Sequence, residues 1–150
     1  MNTAAQKVMR WGSRLAVLLY RRSNGRIAGS ARGLPVLLLT VPGRRTGKLH
    51  TVAVSYFEKD GSYLVTGSAG GMKDDPQWMK NLRATPTAHI RIGAREVDVR
   101  VHVTDPEQRD ELWRDVVTAQ APFFAGYQEK SGRVIPIAIL EPREGPDRAA

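Results

Sequence analysis

Apolar residues follow two rhythms along the chain. At the start, Val8, Trp11, Leu15 and Leu18 recur at helical spacing, with Lys7, Arg10, Arg14 and Arg21 spread over the other faces. This predicts a basic amphipathic helix, ended by Gly25. Strand signals then take over. Residues 35–41 are a continuous apolar run, 49–57 alternate and are rich in valine and aromatics, and 62–67 follow the hairpin signal Asp60-Gly61. A short helix is expected over 77–84, with Pro76 at its first position. Residues 87–92 and 95–103 pair across Gly93-Ala94, and a longer helix follows over 106–119, with Thr104 or Asp105 as N-cap and Glu107 in its first turn. A last strand, 134–140, contains Pro136, which predicts an edge or a bulge there.

Strands joined by tight turns argue for an antiparallel sheet, and about six of them suffice to curl into a small barrel. Long helices between most strands, which a doubly wound parallel sheet needs, are missing. The expected architecture is mainly β with peripheral helices (α+β): a helix over 1–25, a barrel domain over 26–143 and a loose polar tail over 144–150. At 150 residues the chain fits one domain.

Charge adds a polarity that the apolar pattern does not show. Ten basic residues precede Glu58 and no acidic residue does, so all of the +8 net charge comes from the first third. Such a surface suits an anionic partner: nucleic acid, a lipid headgroup, or a ligand bearing phosphate or carboxylate, among which composition alone does not choose. A basic helix with a tryptophan can lie on an anionic membrane, where each cation adds about 1 kcal/mol, or simply dock on the barrel with its arginines solvated. No helix-turn-helix or stacking pattern points to nucleic acid. The chain has no cysteine, which excludes disulfides, thiolate nucleophiles and cysteine-ligated metals. The longest uncharged run, 116–128, is 13 residues, short of the roughly 20 a spanning helix needs. The apolar run 15–20 is short for a secretory signal, so a cytoplasmic protein is expected, with peripheral contact to the inner membrane face as an extension.

Candidate chemistry sits in three places. Pro42-Gly43-Arg44-Arg45-Thr46-Gly47-Lys48 joins two strands; its glycines let the backbone turn while three cations surround it, which makes either an anion cradle or a basic hairpin tip. It is not a Walker A loop, because Leu49 stands where Ser or Thr would hold Mg²⁺. Gly67-Ser68-Ala69-Gly70-Gly71 permits close approach of a flat ligand, with Trp78 and Asn81 on one helical face just beyond. Phe123, Phe124 and Tyr127 are read as loop aromatics that line an apolar pocket or cap the barrel end. His50, His89 and His102 form no pair at metal-ligand spacing, so no metal is expected. A basic cradle and a glycine-rich loop with no evident nucleophile suit a coenzyme that brings its own reactivity.

Taken in order, Leu37-Leu38-Leu39-Thr40 leading to Gly43-Arg44-Arg45-Thr46-Gly47, then Ser68-Ala69-Gly70-Gly71, Pro76-x-Trp78, Asn81-Leu82 and Arg133-x-Ile135-Pro136 resemble the deazaflavin-dependent nitroreductase and quinone reductase family. The resemblance implies a split β-barrel related to flavin-binding reductases, and binding of the reduced 8-hydroxy-5-deazaflavin coenzyme F-420, with FMN as the lesser alternative. It implies hydride transfer to a quinone, an activated alkene or a nitroaromatic. Arg44, Arg45, Thr46 and Gly47 match positions at the coenzyme's phosphate and glutamate tail; Ser68, Ala69, Gly70, Gly71, Trp78 and Asn81 match those around its ring and phosphate. Tyr127 and Ser68 are the implied proton donors, and Phe123, Phe124 and Tyr127 the acceptor pocket. Many relatives have Lys at Ala69 and Arg at His50, and the nitro-reducing ones have other aromatics at Ala121 and Phe124; Lys73 is a candidate replacement for the missing lysine. Relatives of this type are often dimers, so a homodimer is an expectation. Rival readings are the same fold holding FMN, haem or a fatty-acid-like ligand, or a non-enzymatic module on anionic membrane.

Overall fold

Strand β2 (Leu34–Pro42) shows how the architecture follows from the sequence, because six of its nine residues are buried and only Pro35 is exposed. Leu37, Leu39 and Val41 point into the main core, while Val36 and Leu38 point the other way, onto Val17 and Tyr20 of helix α1 (Ala4–Ser23). Burial on both faces is why this strand reads as a continuous apolar run rather than an alternating one. The computed structural model describes the backbone from Ala4 to Arg143 and side chains from Ser13 onward. The side chains of Val8 and Trp11, and the tail beyond Arg143, lie outside the described residues.

The sheet contains eight strands: β1 (Ser30–Ala31), β2, β3 (Leu49–Ser55), β4 (Phe57–Lys59), β5 (Ser62–Thr66), β6 (Thr87–Ile92), β7 (Arg95–Val103) and β8 (Ile137–Pro142). Their order is β1-β2-β6-β7-β8-β5-β4, with β3 also on β2, and the pairings are antiparallel. The sheet curls around Leu37, Leu39, Val65, Ile90, Val99 and Leu140, and β3 and β5 approach without pairing, which leaves the barrel split. Helix α2 (Gln77–Arg83) plugs one end with Met79 and Leu82. A second core, built on Phe57, Leu64, Trp113, Val117, Phe124 and Ile137, holds the C-terminal helices against the outer face.

Differences from the expected elements have local causes. The expected strand 49–57 breaks at Tyr56, whose N–H turns to Pro35 O (3.0 Å), because the chain leaves β2 there to pair with β5. Strand β8 starts after Pro136 and runs between β7 and β5; proline cannot donate to a central ladder, so it ends up just outside it. The two-residue β1 was not expected. The longer C-terminal helix is α3 (Pro106–Leu112), then a π-helical turn (Trp113–Val117), then α4 (Thr118–Gln120), and its N-cap is Asp105, which accepts from Gln108 N–H (2.8 Å). Pro76 is the N-cap of α2 rather than its first residue.

Helix α1 docks, but not by the face expected. Tyr20, 1% exposed, donates its hydroxyl to Val36 O (3.0 Å) and accepts from Gly93 N–H (2.8 Å), and Val17 packs beside it. Leu15 and Leu18 are left 55% and 47% exposed. Helical periodicity marked an apolar side; burying a tyrosine whose hydroxyl meets two backbone groups outweighs burying two leucines on another side.

One strand pair carries a pH-dependent contribution. His89 and Asp98 are register partners on β6 and β7, with Nδ1 2.9 Å from Asp98 Oδ1 and Nε2 3.2 Å from Glu96 Oε1. Burial disfavours the charged ring, but these hydrogen bonds and carboxylate charges outweigh it and hold His89 above its ordinary 6.5. A raised folded-state value means that its stabilisation is complete below pH 6.5 and is lost as pH rises through the folded value. The stability difference between wild type and His89→Gln is expected to be largest below pH 6.5 and to shrink as the pH rises above it. Urea melts across that range check it; a difference that grew with pH would contradict it.

Candidate active site

The turn from β2 to β3 is tied into a ring by its own backbone. Gly43 N–H donates to Lys48 O (2.7 Å), Gly47 N–H to Gly43 O (2.9 Å), and Lys48 N–H to Thr46 Oγ1 (3.2 Å). Arg44 is fixed on top of it. Its backbone N–H and Nη1 both donate to Asn81 Oδ1 (3.1 and 2.8 Å), and Nη2 donates to Gln77 Oε1 (3.0 Å). Gln77 and Asn81 stand one helical turn apart on α2, so both reach the same guanidinium. Those partners are neutral, and among the described residues no carboxylate pairs with Arg44 or Arg45. A guanidinium held in place with its charge unanswered is ready for a phosphate or carboxylate.

Arg44, Arg45, Thr46, His50, Trp78 and Asn81 line a cavity of about 690 Å³, joined from α1 by Ser13 and Arg14. Its lining includes three arginines and no acidic side chain. Gly47 and Lys48 shape the loop without lining the cavity. A second cavity, about 280 Å³, is lined by Ser68, Ala69, Gly70, Phe123, Phe124 and Tyr127, together with Arg32, Ser55 and Thr66. Trp78 lines both, and β3 runs from one (Thr51, Val52) to the other (Ala53, Val54). The sequence-derived residues thus fall into two adjoining groups, with the tryptophan between them.

The glycine-rich loop owes its shape to backbone that few residues adopt. Ala69, Gly70 and Gly71 have φ of 47°, 64° and 88°. At Gly71 a Cβ would stand 3.2 Å from Tyr127 O and 3.1 Å from Lys130 Cδ, so the missing side chain lets the loop seat against the helix that carries Tyr127. Gly71 therefore packs the site and lines neither cavity. Arg133 closes the loop from outside. Nη2 donates to Gly67 O (2.9 Å) and Asp74 O (3.1 Å), Nε to Met72 O (3.1 Å), and Nη1 meets Asp75 Oδ1 at 2.6 Å.

Phe123, Phe124 and Tyr127 are not on a loop, as the sequence suggested. Phe123 caps helix α5 (Phe124–Ser131), which stops at Gly132 in the left-handed region (φ 67°). Pro122 and Gly126 disguised it, and packing supplies what propensity lacks: Phe124 meets Phe57 at 5.8 Å and Trp113 at 6.2 Å, both edge-on. Phe124 is 4% exposed and belongs mainly to the core, whereas Phe123 and Tyr127 are half-buried.

Several residues of the site escaped the sequence reading, among them Ser13, Arg14 and Gln77 at the first cavity and Arg32, Ser55 and Thr66 at the second. Nothing local tells that α1 folds back beside the cradle. Arg32-Gly33 did carry a signal, since a residue before glycine between two extended segments marks a turn. Lys73 lines neither cavity.

The family profile described as F-420H(2)-dependent quinone reductase matches residues 12–142. A curated F-420H(2)-dependent quinone reductase of Mycobacterium tuberculosis is 33% identical over 133 residues, covering 87% of this chain and 89% of the relative. A solved F-420-H2 dependent reductase is 31% identical with a TM-score of 0.63, over 71% of this chain and 94% of its own. A second solved structure, described as a domain-swapped dimer, is 26% identical with a TM-score of 0.64, over 93% and 100%. The split barrel and the reductase assignment expected from the motifs are both met. This chain belongs to the F-420H(2)-dependent quinone reductase family, a family of oxidoreductases.

Proposed function

We propose that the chain reduces quinone-like acceptors with a hydride supplied by reduced F-420, and that its two cavities divide the work. The coenzyme carries a phosphodiester and glutamate carboxylates. Arg44 and Arg45 would hold that anionic strip, with Arg14 of α1 supplying a cation where this chain has Ala69 and His50. Trp78, Asn81 and the backbone of 68–71 would flank the ring, leaving the acceptor between it and Tyr127. When bound, the coenzyme supplies the hydride; the protein positions the partners, excludes water with Phe123 and Phe124, and offers a proton from Tyr127 Oη or Ser68 Oγ. The observation that carries this reading is Arg44, held by Asn81 and Gln77 with no carboxylate to neutralise it.

A fluorescence titration with oxidised F-420, at two salt concentrations and with FMN as competitor, tests it. Saturable binding that FMN does not displace is expected, weakened about tenfold by Arg44→Met through loss of a charge-assisted hydrogen bond. Equal binding by wild type and variant would rule out the cradle.

A second reading concerns where the enzyme works. Leu15, Leu18 and Ile27 are 55%, 47% and 53% exposed, in a stretch that also carries Arg21, Arg22 and Arg26 and no acid. Among the described residues no helix is long and apolar enough to cross a membrane. The exposed leucines and arginines favour peripheral contact with an anionic bilayer, where lipid-soluble quinones reside. Sedimentation with phosphatidylglycerol vesicles should fall several-fold for the Leu15→Ser/Leu18→Ser double variant and with added salt. Retention of the double variant at wild-type level would remove this reading.

A further inference from the structure

The second cavity contains one charged side chain, and no motif pointed to it. Arg32 stands at the rim, with its guanidinium carbon 4.3 Å from the Phe123 ring centroid, and Nη1 donates to Tyr127 Oη. The other polar side chains that line the cavity are the hydroxyls of Ser55, Thr66, Ser68 and Tyr127, together with the Trp78 indole N–H. Its backbone is as telling as its position. Arg32 (φ 52°) and Gly33 (φ 82°) form the two-residue turn between β1 and β2, with Ala31 paired to Leu34. Both central positions lie in the left-handed region, where Asn or Gly is the favoured occupant and the Cβ of other residues crowds the backbone. Strain kept at a cavity rim, by a residue that stacks on one pocket aromatic and bonds another, points to a role there.

We infer that Arg32 is the anion-stabilising residue of the acceptor site, holding the oxygen on which negative charge develops as the acceptor is reduced. This rests on the reading of the second cavity as the acceptor pocket. A quinone that takes up a hydride, with the electron pair of the bond broken in the donor, becomes a hydroquinone monoanion; one proton, from Tyr127 Oη or water, completes the quinol. A neutral quinone gains little from a cation, whereas the monoanion gains much, so the interaction strengthens along the reaction. The guanidinium also fixes Tyr127, because an Oη that accepts from Nη1 must aim its own proton elsewhere. The acceptor class that follows is a flat conjugated molecule whose reducible carbonyl reaches the rim at Arg32.

The test uses coenzyme-free protein and two probes of similar shape: menadione, a neutral naphthoquinone, and lawsone, a hydroxynaphthoquinone that is an anion at neutral pH. Calorimetry should show wild type preferring lawsone about tenfold. Arg32→Asn should abolish that preference while leaving menadione affinity within about threefold, and Arg32→Lys should keep part of it. Asn suits the turn, so the thermal midpoint of Arg32→Asn is expected at or above wild type. In turnover with menadione, Arg32→Asn should lower kcat with little change in KM. An undiminished lawsone preference in Arg32→Asn would overturn the proposal. Failure of wild type to bind either probe would overturn the acceptor-pocket reading with it, while leaving the coenzyme cradle, tested separately by F-420 titration, intact.

Discussion

Replacing Arg133 by Met is expected to destabilise the protein by about 3 kcal/mol and to weaken coenzyme binding at least tenfold, although Arg133 lines neither cavity. Its side chain is 17% exposed and its donors reach the carbonyls of Gly67, Met72 and Asp74, besides the Asp75 carboxylate at 2.6 Å. Methionine fills similar space but donates nothing, so those carbonyls lose their partner and Asp75 keeps only the longer contact to Arg83 (3.3 Å). The loop they belong to already holds Ala69, Gly70 and Gly71 in the left-handed region, a shape it would not keep unaided. Lysine at the same position should recover the Asp75 contact but not the spread of carbonyl contacts, and so fall between. Urea unfolding gives the stability, and hydrogen exchange over 67–75 reports whether the loop opens below the global transition. A loss under about 1 kcal/mol with unchanged exchange would show that the loop holds itself.

The same loop shows what the sequence could and could not tell. Its glycines, and the turn at 43–47, were legible because backbone that turns sharply needs particular residues whatever surrounds it. The Asp60-Gly61 hairpin (φ 53° and 80°) was legible for the same reason, and the cap of α3 as one of two neighbours, Thr104 or Asp105. Helix α5 was not, because the packing of Phe124 against Phe57 and Trp113 forms it in spite of Pro122 and Gly126. The docking face of α1 was misread because Tyr20 binds through its hydroxyl as well as its ring, and periodicity scores only apolar character. Arg14 and Arg32 were not legible as cavity residues, since their places depend on where α1 and the β1–β2 turn come to rest. Residues that act through local backbone can be read along the chain; those that act through tertiary position cannot.

Arg109→Met should lower stability by about 3 kcal/mol, and the reason is the environment rather than the charge. Arg109 is 5% exposed, with its guanidinium carbon 4.4 Å from the Trp113 ring centroid. Nε donates to Ile135 O at 2.8 Å and Nη2 to Gln128 Oε1, which also accepts from Ile135 N–H at 3.2 Å. One side chain on α3 thereby fixes the segment entering β8 and the helix turn that carries Tyr127. Methionine keeps the contact with Trp113 but leaves the buried Ile135 O without its side-chain donor, at about 1–3 kcal/mol, while Gln128 Oε1 keeps only Ile135 N–H. Asp110 matters little, because its carboxylate is 69% exposed and hydrates freely. Arg109→Lys should recover part of the loss, because an ammonium can still donate to Ile135 O or Gln128 Oε1. Urea unfolding of the two variants checks it: equal stability of Arg109→Lys and Arg109→Met would show that these two hydrogen bonds contribute nothing.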